Sequence, residues 1–333
     1  MKILVTGGCG FIGSSFIRYL LSQYNYQVVN IDLLTYAGNL ENLSEIDNHP
    51  NYQFVHADIV DNQIIEPWVR WAEGIVHFAA QTHVDRSILD PSPFIRTNII
   101  GTFNILEAMR KQPDTTKRMV HVSTDEVYGS IEQGKADESS PLRPNSPYSA
   151  SKSAADLLVR SYYKTYGLGV LTTRASNNFG PYQYPEKLIP LAITNLLEGK
   201  KVPIYGEGSQ QRDWIYVEDH CAAIDLVLHQ GEPGEIYNIG SGQTRTNLEV
   251  VTKILRWMEK PSFWVESVQD RPAHDIRYSV DNEKVKKLGW QSKVDFEDSL
   301  VRTIDWYKNH QTWWKRLKEK NTLLFQPLAE KGT

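Results

Sequence analysis

Ile3-Leu4-Val5-Thr6-Gly7-Gly8-Cys9-Gly10-Phe11-Ile12-Gly13 decides how the chain is read. A short β-rich run enters a glycine turn, and the turn opens into a helix-compatible segment at 14–24. The glycines satisfy Gly-x-Gly-x-x-Gly at 8, 10 and 13 and also Gly-x-x-Gly-x-x-Gly at 7, 10 and 13. Glycines so placed allow a tight turn and bring backbone N–H groups close to a pyrophosphate at a helix N-terminus. Strand, glycine turn and helix in this order form the context that a dinucleotide fingerprint requires, although a glycine turn alone recurs throughout α/β proteins. A nucleoside-triphosphate loop is excluded, because Ser14 stands where its phosphate-binding Lys belongs.

Working outward, the next strand-like run, 27–31, ends at Asp32, nineteen residues after Gly13. A carboxylate there accepts hydrogen bonds from an adenosine ribose and repels a 2′-phosphate, which favours NAD over NADP. The plainer reading is a solvated Asp at a strand end. Further strands at 52–56, 74–78, 119–123 and 169–174 alternate with helical patterns, notably 93–111 and 148–166. Alternation at this spacing implies right-handed βαβ units and hence an α/β fold with a Rossmann-type, doubly wound parallel sheet. The rhythm breaks at Ser176-Asn177-Asn178-Phe179-Gly180-Pro181-Tyr182, which reads as a loop. Beyond it come helices at 188–199, 218–230 and 247–258 and strands at 202–205, 213–217 and 236–240. The expected division is a dinucleotide domain of 1–176 plus about 213–239, a smaller α/β substrate-binding domain of about 177–212 and 240–320, and a flexible tail at 327–333.

Composition narrows the function classes. The 333 residues are 41% hydrophobic and 23% charged, with a net charge of -4, so there is no basic footprint for nucleic acid or an anionic membrane. The cations at 315–320 read as a solvated helix face. Only Cys9 and Cys221 occur, which argues against a disulfide framework and suits a reducing compartment. No apolar run approaches the roughly 18 residues that span a bilayer. The chain starts directly on a strand, leaving no room for a signal peptide, so the cytoplasm is expected. His56, His77, His83 and His121 show no metal-ligand spacing, and no metal is expected.

The reactive residues concentrate between Ser123 and Lys152: Ser-Thr-Asp-Glu-Val-Tyr-Gly at 123–129 and Tyr-Ser-Ala-Ser-Lys at 148–152. On a helix Tyr148 and Lys152 share a face, so the ammonium can favour the ionised phenol and make it a base for an alcohol. Asp125 and Glu126 are adjacent carboxyls, and two carboxyls in unlike surroundings can divide into an acid and a base. The alternative is that they merely cap a turn after the strand.

With these features in this order, the chain resembles the extended short-chain dehydrogenase/reductases, and within them the nucleoside-diphosphate-glucose 4,6-dehydratases, over roughly 1–310. Supporting signatures are Leu34-Thr35-Tyr36-Ala37-Gly38-Asn39, His83-Val84-Asp85-Arg86-Ser87, Tyr184-Pro185-Glu186-Lys187-Leu188-Ile189-Pro190, Arg212-Asp213-Trp214 and Asp270-Arg271-Pro272. The resemblance implies an NAD-dependent lyase acting on dTDP-glucose, with UDP-glucose as the substrate alternative. Tyr148 with Lys152 would take the C4 hydroxyl proton as the C4 hydride leaves, and Thr124 would hydrogen-bond that oxygen. Glu126 would remove the C5 proton, and Asp125 would protonate the departing C6 hydroxyl. Hydride return to C6 then gives a 4-keto-6-deoxy sugar for deoxysugar (for example rhamnose) biosynthesis.

The same resemblance assigns Gly7, Gly10, Phe11, Ile12, Gly13, Asp32, Leu33, Thr35, Asp58, Ile59, Ala79, Ala80, Thr97, Tyr148, Lys152 and Asn178 to the dinucleotide. It assigns Thr82, Thr124, Asn177, Lys187, Leu188, Pro203, Tyr205, Arg212, Asn247, His274 and Tyr278 to the sugar nucleotide. Arg212 and Lys187 suit a diphosphate, Arg in bidentate fashion, though either taken alone reads more readily as a surface cation. A homodimer through a four-helix interface of 93–111 and 148–166 is implied too. One departure stands out: Gln81-Thr82 replaces the Glu and Ser usual in bacterial dTDP-glucose enzymes and looks like the eukaryotic-type UDP-glucose enzymes. A C4 epimerase or decarboxylase on the same scaffold and a non-enzymatic dinucleotide sensor are the rival readings.

Overall fold

The computed structural model describes residues 1–112, 117–270, 272 and 274–320; the tail expected at 327–333 lies outside them. β1 (Lys2–Thr6) feeds α1 (Phe11–Gln23), β2 (Gln27–Asp32) and β3 (Tyr52–His56) follow, and α2 (Asn62–Trp71) returns the chain to β4 (Gly74–His77). Next come α3 (Val84–Leu89), α4 (Ser92–Phe94), a π-helical turn at Ile95–Gly101 and α5 (Thr102–Arg110). β5 (Arg118–Thr124) runs into a 3₁₀ turn at Asp125–Tyr128, and α6 (Pro147–Tyr166) leads to β6 (Gly169–Ala175). The remainder comprises β7 (Asn177–Phe179), α7 (Leu188–Leu197), β8 (Val202–Tyr205), β9 (Gln211–Tyr216), α8 (Val217–Gln230), β10 (Ile236–Ile239), β11 (Thr244–Thr246), α9 (Asn247–Trp257), β12 (Val265–Val268), α10 (Glu283–Lys287), α11 (Phe296–Asn309) and α12 (Gln311–Lys320).

Seven strands form one sheet in the order β10-β6-β5-β4-β1-β2-β3, with every neighbouring pair parallel. This is the doubly wound sheet that the alternation predicts. Its strands are buried on both faces and therefore read as near-continuous apolar runs, as in Ile3, Leu4 and Val5, all fully buried. α1 and α8 cover one face, and α2, α5 and α6 cover the other. The strand order reverses between β1 and β4, so a crevice opens beyond their C-terminal ends, where α/β sheets bind ligands.

A second core gathers α7, α9, α11 and α12 around a three-stranded sheet, β11-β9-β7, and the pair β12-β8. The stretch read as a loop at 176–182 thus contains a strand: Asn177, Asn178 and Phe179 pair in parallel with Trp214, Ile215 and Tyr216. The segment 211–216 belongs to this smaller sheet, whereas α8 and β10 that follow it return to the large one. The helix expected without interruption over 93–111 carries the π turn in its middle, where Gly101 lets it approach Ile59: a Cβ there would fall 2.3 Å from Ile59 Cδ1. The cation stretch at 315–320 is not wholly solvated. Lys318 is 8% exposed and donates to Glu198 Oε2 at 2.8 Å and Asn195 Oδ1 at 2.8 Å, tying α12 to the end of α7.

Candidate active site

The dinucleotide arm of the crevice begins at the glycine loop. Gly7 has φ +74°, and a Cβ on it would fall 2.5 Å from the Ala79 nitrogen; one on Gly13 would fall 2.4 Å from the Gly7 carbonyl oxygen. Gly7 lets the loop press against the backbone just after β4 and Gly13 lets it fold on itself, whereas a Cβ on Gly10 meets nothing nearer than 3.4 Å. Gly10 is the N-cap of α1 and supplies no side-chain cap, so the first-turn N–H groups of the helix face the crevice with its positive dipole end. Asp32 Oδ2 accepts from the Cys9 N–H at 2.9 Å and Oδ1 from the Leu34 N–H at 2.8 Å. Burial raises this carboxyl and the two backbone donors pull it back. The carboxylate therefore shapes the glycine loop as well as lining the arm. Every residue assigned to the dinucleotide lines this arm, which makes the chain's own surface a fit for an adenine dinucleotide.

The candidate catalytic residues Thr124, Asp125, Glu126, Tyr148 and Lys152 line the same crevice. α6 starts with a Ser146–Ser149 capping box and Pro147 in its first turn, worth about 1 kcal/mol as a cap, and this fixes where Tyr148 enters the helix. Tyr148 and Lys152 are buried on its inner face at 8% and 4% exposure. Lys152 Nζ donates to the Val122 carbonyl at 2.8 Å, and burial brings its ammonium down to about 8 against the pull of Asp156. Burial and then Glu126 push the Tyr148 phenol up, with the Thr124 hydroxyl acting the other way. The ammonium is engaged by a β5 carbonyl, and two carboxyls surround the phenol.

β5 ends at Thr124, whose Oγ1 accepts from the Glu126 N–H at 3.3 Å and so caps the 3₁₀ turn. Asp125 points inward at 3% exposure; its Oδ1 receives the Thr124 hydroxyl at 3.3 Å, and its Oδ2 has no partner among the described residues. Burial first, then Glu126 and Asp213, hold this carboxyl well above the usual range. Glu126 is half-buried and lines both arms of the crevice. Adjacent in the chain, the two carboxyls have unlike surroundings, the condition for one acid and one base.

The second arm lies between the lobes. Thr82, Asn177, Lys187, Leu188, Pro203, Tyr205, Arg212, Asn247, His274 and Tyr278 all line it, and Thr82, Glu126, Asn177 and Lys187 border both arms. Lys187 Nζ donates to the Thr82 carbonyl at 3.4 Å, Tyr205 donates to Asp85 Oδ2 at 2.9 Å, and His274 Nδ1 lies 2.6 Å from Asp270 Oδ1. Arg212 is anchored from behind by the backbone. Its Nη1 and Nη2 donate to the carbonyls of Gln211 at 2.8 Å and Asp275 at 2.9 Å, and its plane lies over the Tyr278 ring at 4.3 Å. It is a buried positive charge that also fixes the 275–278 segment.

Some lining residues were not singled out from sequence. Glu186 accepts from the Tyr36 hydroxyl at 3.0 Å, with Arg86 over the Tyr36 ring at 3.8 Å. Tyr36 and Glu186 both lie inside quoted signatures, yet nothing in their local pattern says that two loops so far apart meet. His220 on α8 is another; its Nδ1 is 2.8 Å from Asn178 Oδ1. Gln81 is held through its backbone: its N–H donates to Asn98 Oδ1 at 2.8 Å, and Asn98 Nδ2 returns to its carbonyl at 3.1 Å. Among the described residues no group of three or more His, Cys, Asp or Glu side chains is placed to hold a metal ion, and no helix is long and apolar enough to cross a membrane.

Comparison with known proteins adds to this geometry. A family model described as GDP-mannose 4,6 dehydratase matches residues 4–303. A dTDP-glucose 4,6-dehydratase of Streptomyces niveus is 49% identical over 333 residues, 98% of this chain and 98% of that protein. The enzyme of the same name from Escherichia coli is 46% identical, with 96% of this chain and 97% of the relative covered. The crystal structure of DesIV, a dTDP-glucose 4,6-dehydratase from Streptomyces venezuelae with NAD and TYD bound, superposes with a TM-score of 0.93 at 49% identity, covering 96% of this chain and all of that one. With its doubly wound sheet, its paired carboxyls at the end of β5 and relatives nearly half identical along almost their whole length, the chain belongs to the GDP-mannose 4,6 dehydratase family.

Proposed function

We propose that the protein is a dTDP-glucose 4,6-dehydratase, an NAD-dependent lyase that converts dTDP-glucose to dTDP-4-keto-6-deoxyglucose and water in deoxysugar biosynthesis. The observation that carries this reading is Asp125: a buried carboxyl lining the crevice of the dinucleotide residues, its affinity for a proton raised well above the usual range by burial and by its neighbour Glu126. A dehydrogenase or epimerase needs no such acid; a dehydratase needs one to release the C6 hydroxyl as water.

Each residue then has one task. Tyr148 accepts the proton of the C4 hydroxyl, with the Lys152 ammonium and the Thr124 hydroxyl beside it to steady the developing charge. Glu126, at the junction of the two arms, takes the proton from C5, which the new C4 carbonyl has made acidic. Asp125 gives its proton to the C6 hydroxyl, which departs as water. Glu126, its proton exchanged with solvent, reprotonates C5, and the proton gained by Tyr148 makes good the one lost by Asp125 before the next turnover, so the protein ends the cycle as it began. NAD, when bound in the glycine-loop arm, supplies the hydride acceptor at C4 and the donor at C6, and the balanced cycle needs no outside oxidant. Arg212 and Lys187 contribute positive charge for the diphosphate.

The reading extends to assembly and location. Ile100, Phe103 and Leu157 are 43%, 39% and 57% exposed along the outer face of the π turn, α5 and α6. An apolar strip on two adjacent helices suits a homodimer joined through four helices. Two buried thiols, Cys9 and Cys221, suit the reducing cytoplasm.

Incubation with dTDP-glucose and, separately, with UDP-glucose tests the assignment. A 4-keto-6-deoxy product from dTDP-glucose supports it; preference for the uridine sugar would shift the substrate. Turnover of neither would overturn the reading.

A further inference from the structure

The 3₁₀ turn that carries Asp125 and Glu126 ends on Tyr128, a residue to which the proposed chemistry gives no task. Three residues make one 3₁₀ turn, so side chains at i and i+3 eclipse, and the azimuth of Tyr128 sets that of Asp125. Tyr128 is 2% exposed. Its hydroxyl donates to Asn238 Oδ1 on β10 at 2.8 Å and accepts from Arg174 Nη1 on β6 at 2.9 Å. Arg174 donates Nε to Asp156 Oδ2 at 2.8 Å, and His121 Nε2 stands 3.2 Å from the other oxygen of that carboxylate. Asp156 lies one turn beyond Lys152 and two beyond Tyr148 on the inner face of α6. One buried polar chain therefore links the helix bearing the hydride-transfer pair to the turn bearing the elimination pair.

We propose that Tyr128 and Arg174, anchored on Asp156, are positioning residues that hold Asp125 and Glu126 in register with Tyr148 and Lys152 for the elimination across C5 and C6. The proposal rests on the dehydratase reading above. C4, C5 and C6 are consecutive atoms of one sugar, and two separate structural elements must address them without the sugar being moved between steps. A rigid link between the elements meets that need, and a misplacement of about 1 Å can cost on the order of a hundredfold in rate. Burial pushes the Tyr128 phenol up to about 12, with Arg174 opposing, so it stays a hydroxyl able to donate to Asn238. The backbone fasteners of the turn, Thr124 Oγ1 to the Glu126 N–H and the Arg143 N–H to the Val127 carbonyl at 3.0 Å, do not depend on that hydroxyl. Its loss should loosen the azimuth of the turn while leaving the turn in place.

The test is single turnover of dTDP-glucose by NAD-loaded wild type, Y128F and R174K, following the near-ultraviolet absorbance of the reduced dinucleotide as it appears and decays, with melting curves and dinucleotide content as folding controls. In R174K the charge beside Asp156 is kept and the fork to Tyr128 is lost. Appearance should stay within about twofold of wild type while decay slows roughly tenfold or more. Both phases slowing in proportion, or neither changing, in whichever variant keeps wild-type melting and dinucleotide content would overturn the proposal; so would loss of both variants' folding, since the link would then be structural only. A wild type that makes no keto sugar sinks the dehydratase reading instead.

Discussion

Asp125 and Glu126 adjoin on one 3₁₀ turn and face different media: Asp125 is 3% exposed with a carboxyl oxygen lacking a partner among the described residues, while Glu126 borders both arms of the crevice. D125N keeps the shape and the neutral state but has no proton to give. C4 oxidation should persist, and water loss should fall by about a hundredfold or more. Stability should move the other way. The folded carboxyl is raised above its unfolded value of about 4, so the folded state holds a proton that the unfolded state releases, and stability falls as pH climbs from that value through the folded one. D125N escapes this loss and should gain on the order of 1 kcal/mol at neutral pH, with the gain vanishing in acid. Urea melts at two pH values check it, and a variant weaker than wild type at neutral pH would contradict it.

Gly10 and Gly13 separate loop folding from ligand contact. A Cβ at Gly13 strikes backbone at 2.4 and 2.8 Å, so G13A should destabilise the protein by about 1–3 kcal/mol and abolish dinucleotide binding. G10A meets only one atom, at 3.4 Å, so it should melt within about 0.5 kcal/mol of wild type yet bind NAD roughly tenfold more weakly. Calorimetric titration with melting curves tells the two apart, and equal effects on both properties would contradict the cradle described here.

Lys152 is charged and buried, with burial bringing it down to about 8. K152M should lower the rate of C4 oxidation by roughly a hundredfold to ten-thousandfold, and the lost desolvation cost should leave melting unchanged or higher. Rapid-mixing absorbance and calorimetry would show this, and unchanged oxidation would remove Lys152 from the site.

The strand-helix alternation of the large parallel sheet, the glycine loop and the concentration of Thr124, Asp125, Glu126, Tyr148 and Lys152 in one stretch were legible because each is a pattern along the chain, on a strand, turn or helix. What escaped depends on distant partners. Asn177–Phe179 becomes a strand only because β9 supplies hydrogen bonds from thirty-seven residues away. α2 carries Pro67 within it, which obscures a helical pattern. The direction of the Arg212 fork is set by the carbonyls of Gln211 and Asp275, and the burial of Lys318 by the end of α7. The Tyr36–Glu186 contact likewise joins loops that no local pattern relates.

Phe103 and Leu157 offer the assembly test. If their strip seals a homodimer, F103E with L157E should yield a folded monomer by sedimentation, whereas wild type sediments as a dimer. A wild-type monomer would refute the four-helix interface.

The central claim is an internal hydride shuttle coupled to elimination. dTDP-glucose carrying deuterium at C4 tests it most directly, with the product's label located by NMR. The account predicts a 4-keto-6-deoxy sugar with the deuterium at C6 and a solvent-derived hydrogen at C5. Deuterium still at C4 of a sugar inverted at that carbon would contradict it, as would a keto sugar whose label has been lost to solvent.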